Sequence, residues 1–102
     1  MSTQISTNET LIFSENCTQV SHVRISRGDR WKVPYSGGVA RTLTVVSGYG
    51  LFQTGDERCD IELKPGHVID MTRWSADRGW QVRGTSNAEL VLSVSSVKYS
   101  AY

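Results

Sequence analysis

The sequence of 102 residues has few of the residues that form disulfides, metal sites, acid-base sites or rigid turns: it contains two cysteines, two prolines and two histidines. It has no apolar run that approaches the roughly 20 residues needed to span a bilayer. The first ten residues are polar and do not have the charged-then-apolar arrangement of a secretory signal. These absences predict a cytoplasmic protein without a transmembrane helix.

The two cysteines also lack the spacing of a redox or zinc motif, because Cys17 and Cys59 form no CxxC pair. In a protein without an export signal we expect both to be reduced thiols, with a disulfide between them as the alternative.

The charge balance excludes a second group of functions. Eleven basic and ten acidic residues give a formal net charge of +1, so there is no basic field across the domain that would recruit nucleic acid or an anionic membrane. We expect neither partner. Recognition of an anion would have to come from individual arginine side chains.

What the sequence does contain is a series of short alternating runs separated by turn residues, which is typical of a β-sandwich or barrel. The length fits one domain. We predict a flexible arm or edge strand at residues 1–10 and a single β-barrel domain at residues 11–102. The alternating runs are Val20–Ile25, Ala40–Ser47, Cys59–Lys64 and Ala88–Tyr99, and the turns include Ser47–Gly50, Pro65–Gly66 and Gly84–Asn87.

Three segments in order resemble the middle of a cupin. Val45–Gly50 is similar to the strand and V-x-S-G turn of that family, Gly55–Asp56 lies in the hairpin that follows, and Leu63–Ile69 is similar to the L-x-P-G-D turn. The resemblance covers roughly Val23 to Ser95. It implies an all-β, cupin-like (RmlC-like) jelly-roll barrel of short antiparallel strands, and the alternative is another small β-sandwich.

The resemblance also implies where a metal would be held, since metal-binding cupins use three histidines and a glutamate. Counting along both motifs places four residues at those positions: Arg41 for the glutamate, Tyr35 and Gly37 for two histidines, and Trp80 for the third, or Asp77 if the count starts from Gly66. We prefer Trp80, because a loop varies in length more easily than a strand changes register. His22 and His67 lie elsewhere and are not expected to be ligands. We therefore predict no metal and no other cofactor.

Arg41 is the first candidate for a ligand-binding residue. If the strand is regular, Arg41, Leu43 and Val45 share one face, which points inward. An inward arginine needs a partner, because an unpaired buried charge is costly. The partner is either a ligand anion or a carboxylate of the protein, Asp70 or Asp77, and exposure of Arg41 is the third alternative.

Aromatic and further basic residues near the predicted rim complete the candidate site. Aromatic walls together with arginine suit planar or phosphorylated ligands. The predicted ligand-binding residues are Arg41, Trp80, Tyr35, Trp31, Arg73, Trp74 and Arg78. For each tryptophan the alternative is a place in the core or in a dimer interface, and for the two loop arginines it is a solvated loop.

Residues that would indicate catalysis are scarce, and we assign none. The sequence has no Ser-His-Asp spacing, no GxSxG and no Gly-rich phosphate loop. The preferred function is a metal-free module that captures an anionic or aromatic small molecule, as a sensor, carrier or sequestering factor. The alternatives are a structural β-barrel that forms a homodimer, and a metal-independent lyase, isomerase or cyclase using Tyr35 or Asp77. We expect a homodimer, because an open sheet edge needs to be covered.

Overall fold

The computed structural model describes residues 7–34, 39–54, 60–71 and 79–98. The elements in these ranges are all β-strands: β1 (Thr7–Glu15), β2 (Thr18–Ile25), β3 (Arg30–Lys32), β4 (Val39–Ser47), β5 (Gly50–Gln53), β6 (Asp60–Leu63), β7 (Val68–Asp70), β8 (Gln81–Gly84) and β9 (Leu90–Lys98). In this part of the chain we find no helix with the length and apolarity that crossing a membrane would require.

The strands form two antiparallel sheets. One has five strands in the order β1-β2-β9-β4-β7, and the other has four in the order β3-β8-β5-β6. The chain passes repeatedly from one sheet to the other, as in a jelly roll. The prediction of an all-β jelly roll built from short antiparallel strands is confirmed.

The predicted alternation is confirmed where the two longest central strands pair. Leu43 and Val45 of β4 are buried, as are Leu90, Leu92 and Val94 of β9, and the two strands pair with Leu43 opposite Val94. Thr44 and Val91, which lie between the buried residues of their strands, are β-branched and therefore favoured on the pleated surface of a sheet. Successive side chains therefore point alternately into the core and away from it.

The core lies between the sheets, since one cluster of buried side chains draws on both. Its members are Val23, Ile25, Leu43, Val45, Ile69, Leu90, Leu92 and Val94 from the five-stranded sheet, and Trp31, Phe52, Leu63, Trp80 and Val82 from the region of the four-stranded sheet. Burial of these apolar side chains is the main stabilising contribution to the fold.

Strand β1 crosses the boundary predicted between residues 10 and 11. It lies at an edge of the five-stranded sheet and pairs with β2 through the two-residue turn Asn16–Cys17. Asn16 adopts a φ of 56°, a conformation that asparagine tolerates better than most residues. Residues 7–10 thus form the first part of an edge strand, and residues 1–6 lie outside the described ranges.

The turn between β4 and β5 gives the first testable prediction. Gly48 has a φ of 84°, and a Cβ atom there would overlap the carbonyl oxygen of Glu89. Gly28 has a similar φ of 85°, but a Cβ atom there would meet nothing within 4 Å. We expect Gly28→Ala to lower the free energy of unfolding by about 1–2 kcal/mol through φ alone, and Gly48→Ala to lower it by about 1–3 kcal/mol more through overlap. Urea denaturation measures both, and equal losses would contradict the overlap.

Candidate functional site

The inner face of the five-stranded sheet changes from apolar to polar along the strands. At one end, Ile25 pairs with Leu90, and Val23 pairs with Leu92, and all four are buried. At the other end the cross-strand row consists of Ser14, Gln19, Ser96 and Arg41, on β1, β2, β9 and β4 respectively. Because Arg41 and Ser96 are partly buried and Ser14 and Gln19 are exposed, the polar groups of this row are open to solvent and accessible to a small ligand.

The polar end of this face forms a cleft of about 270 Å³. Its lining residues are Ser14, Asn16, Cys17, Thr18, Gln19, Val39, Arg41, Ser96 and Lys98. Two of these, Arg41 and Lys98, carry positive charge, and none of the described lining residues is a carboxylate. The remaining side chains are mostly hydroxyls and amides. Such a cleft favours a small, polar, negatively charged molecule.

Arg41 is fixed in place at the cleft by a backbone contact. It lies on the same face of β4 as Leu43 and Val45, as the register with β9 requires, so the predicted inward face is confirmed. Its Nη1 donates to the carbonyl oxygen of Pro34 at 2.8 Å, and the side chain is partly buried. A guanidinium has five N–H donors, so one bond to Pro34 leaves donors for a ligand.

The alternative of an internal salt bridge can be tested in part by the strand register. Asp70 of β7 pairs with Thr42, which places both on the face opposite to Arg41. Asp70 is therefore not the inward partner of Arg41. Asp77, the second carboxylate considered, lies outside the described residues.

Trp80 and Trp31 both lie on the inner side of the four-stranded sheet. Trp80 is 6% exposed and Trp31 is 8% exposed. The rings of Trp80 and Phe52 stack with centroids 4.5 Å apart and planes 1° apart. Both tryptophans thus belong to the hydrophobic core, and a role for either in ligand binding stays a prediction.

Four other predicted site residues fall on segments that the structure does not describe: Tyr35, Arg73, Trp74 and Arg78. Their assignment to the site stays a prediction. Cys59 and Gly37 lie outside the described residues as well.

The cleft contains residues that the sequence reasoning did not single out, above all Lys98 and the polar row of Ser14, Gln19 and Ser96. A signal for two of them was present, since the alternation of Leu90, Leu92 and Val94 continues to Ser96 and Lys98. Gln19 could not be placed from sequence, because it pairs with Ser96 on a strand that is distant in the chain. Ser14 joins the row only through its pairing with Gln19.

The described residues do not fit the metal site that the family resemblance suggests. Arg41, at the position of the glutamate ligand, presents a cation, and Trp80 is packed against Phe52. Within the described ranges there is no group of three or more His, Cys, Asp or Glu side chains arranged to hold a metal ion. The donors that line the cleft are hydroxyls, amides, a single thiol and two cations, which suit an anion rather than a divalent metal.

Comparisons with solved structures identify the fold. An uncharacterised protein with a double-stranded β-helix domain from Klebsiella pneumoniae subsp. pneumoniae superposes with a TM-score of 0.77 at 13% identity, over 100% of this chain and 85% of that chain. The Cupin_2 domain of an XRE-family transcriptional regulator from Enterobacter cloacae gives 0.73 at 16% identity, over 95% and 100%. Ectoine synthase from P. lautus gives 0.71 at 9% identity, over 94% and 67%.

The chain therefore has the cupin jelly-roll fold, as the resemblance predicted. No protein-family model matches the sequence, and a search of curated proteins gives no match. The similar structures include a regulator domain and an enzyme, so the fold alone does not determine the function.

Proposed function

We propose that this protein is a binding module that captures a small anionic molecule in the cleft at the polar end of the five-stranded sheet. A sensor, carrier or sequestering role in the cytoplasm would follow from such capture. The observation that carries the proposal is the pair of cations, Arg41 and Lys98, in a cleft where the lining residues that the structure describes include no carboxylate.

Capture of an anion is favoured when the cation that binds it is already held in place. Arg41 is partly buried and is held by the carbonyl oxygen of Pro34, so its position is fixed before any ligand arrives. A fixed donor group gives up less conformational freedom on binding. A guanidinium also matches carboxylate and phosphate oxygens in a bidentate geometry. An anion at this point would gain a charge-assisted hydrogen bond in a half-enclosed site.

The aromatic component of the ligand is a separate part of the prediction. One face of Trp80 is covered by Phe52, so stacking of a ligand would fall to Tyr35 and Trp74. The anionic component depends on Arg41 and Lys98 and can be tested by itself through Arg41.

The test compares Arg41→Leu with the unmodified protein. Native mass spectrometry of freshly purified protein is expected to detect a bound small molecule in the unmodified protein but not in the variant. Thermal unfolding with succinate, phosphate or glycerol 3-phosphate is expected to give a rise in Tm that the variant lacks. Arg24→Leu is the matched control, because Arg24 lies on the same sheet with its side chain 60% exposed.

The stability of the variant separates this proposal from an internal ion pair. Without ligand, we expect Arg41→Leu to change the free energy of unfolding by no more than about 0.5–1.5 kcal/mol, the net value of its hydrogen bond to Pro34. A loss of about 3–5 kcal/mol would mean that a buried carboxylate had been left unpaired. That result, or a Tm response that survives in Arg41→Leu, would overturn the proposal.

A second part of the proposal concerns self-association along β1. Three consecutive large apolar residues on this edge strand are exposed: Leu11 (54%), Ile12 (54%) and Phe13 (44%). Edge strands of monomeric proteins are usually protected by charge or proline, since their free N–H and C=O groups pair readily with another chain. We propose that a second copy of this chain covers β1 and forms a homodimer.

A further inference from the structure

We infer that the cleft selects ligands with two separated anionic groups joined by a short polar linker, as in a hydroxy-dicarboxylate. The inference rests on the proposed function, because it specifies what the same cleft would bind. The observation behind it is the relative position of Arg41 and Lys98 on two paired strands.

The strand register places the two cations on one face at a defined separation. On paired strands β4 and β9, Arg41 lies opposite Ser96 and Val39 lies opposite Lys98. Arg41 and Lys98 are thus diagonal neighbours on the same face, with Cα atoms about 7–8 Å apart. A single carboxylate held by Arg41 forms no ion pair with Lys98. Two anionic groups, one at each cation, neutralise both.

The two cations differ in what they demand of the ligand. Arg41 is anchored by Pro34 and offers a planar fork that orients a carboxylate or phosphate. Lys98 is exposed and carries a point charge on a flexible stem, which accepts an anion over a range of positions. One end of the ligand is therefore recognised by geometry and the other by charge.

The floor of the cleft beside Arg41 is suited to hydroxyl groups. Ser96 and Gln19 lie in the same cross-strand row as Arg41, and both line the cleft. Their hydroxyl and amide groups can donate and accept hydrogen bonds. The cleft volume of about 270 Å³ lies just below the range of roughly 300–1,000 Å³ for small-molecule sites, so the cleft suits a small ligand.

The experiment is a calorimetric titration of the full chain with butyrate, malonate, succinate, malate and glycerol 3-phosphate. We expect succinate and malate to bind up to about fivefold more tightly than butyrate, the upper range for an exposed ion pair. Lys98→Met should remove that advantage and weaken butyrate binding much less, whereas Arg41→Gln should weaken all five. Lys32→Met, on the other sheet, is the control for a general loss of positive charge.

The site of binding is checked through Cys17, which lines the cleft and is exposed. Malate is expected to slow alkylation of Cys17 by iodoacetamide, followed at the level of the peptide so that Cys59 is counted separately. Unchanged alkylation with bound malate would place the ligand elsewhere and overturn the inference.

The other outcomes separate this inference from the proposed function. Equal binding of butyrate and succinate, with no effect of Lys98→Met, would overturn the need for two charges and leave a cleft that binds single anions. Glycerol 3-phosphate binding as tightly as malate, with the same loss in Lys98→Met, would overturn the need for separated charges. A protein that binds none of the five compounds would count against both proposals.

Discussion

Replacing Trp80 by alanine is expected to lower the free energy of unfolding by about 3–5 kcal/mol, the usual cost of deleting a large buried aromatic side chain. Trp80 is 6% exposed and stacks on Phe52, which is fully buried. The substitution removes apolar burial and leaves a cavity that the surrounding strands can fill only in part. A domain of this size has a total stability of about 5–15 kcal/mol, so the variant is expected to lose about a fifth or more of it.

The stack itself is measured by a double-mutant cycle with Trp80→Leu and Phe52→Leu, which keep most of the volume of the core. We expect a coupling of about 0.5–1.5 kcal/mol, the contribution of an aromatic pair beyond its buried area. Urea denaturation gives the four free energies. Leu51→Ala, at a half-buried position beside Phe52, should cost clearly less than Trp80→Ala. Additive losses in the cycle would mean that the two rings contribute only through burial.

Local patterns in the sequence were sufficient to predict the longest strands that form the core, but not β3, which contributes Trp31. Leu90, Leu92 and Val94 alternate with smaller polar or β-branched residues, and this pattern depends only on the pleat of a single strand. The turn at Pro65–Gly66 was likewise readable, and Gly66 has a φ of 93°. The family resemblance added the order in which these strands fold into a cupin jelly roll.

The neighbours of Arg41 in the cleft could not be predicted from the pattern of a single strand. The inward direction of Arg41 followed from its spacing to Leu43, but its neighbours Gln19 and Ser96 come from strands that are brought together by topology. Lys98 was included in the last predicted strand, although its place beside Arg41 depends on the pairing of β4 with β9. Partners of a residue in a sheet are set by register, which a single sequence specifies only weakly.

For Trp80, the sequence did not identify which side chain lies opposite the ring. The sequence predicted that Trp80 points inward, and its burial agrees. Whether an inward aromatic ring meets a ligand or another side chain depends on what stands opposite, and here that is Phe52. The stacking partner lies on a neighbouring strand, so the alternation of one strand could not identify it.

The substitution Ile12→Lys is expected to convert the protein from a dimer into a monomer. Ile12 lies near the middle of β1, so two-fold pairing of this strand brings the two copies of residue 12 close together. Two lysines there would repel each other and would place charge on an edge that pairs through apolar contacts. Because Ile12 is 54% exposed, its replacement should leave the stability of the single chain within about 0.5 kcal/mol. Light scattering should give 11.3 kDa for the variant and twice that mass for the unmodified protein.

A pair of variants with opposite charges at residue 12 provides a control for this prediction. Ile12→Glu should also be a monomer by itself, but an equimolar mixture of the Lys and Glu variants should regain the dimer mass, since opposite charges replace like ones across the two-fold axis. Val68→Lys, at a 60% exposed position on β7, the other edge of the same sheet, should remain dimeric. A dimer that survives Ile12→Lys but dissociates in Val68→Lys would place the contact at β7, and an unmodified protein that is monomeric at every concentration would exclude pairing through β1 altogether.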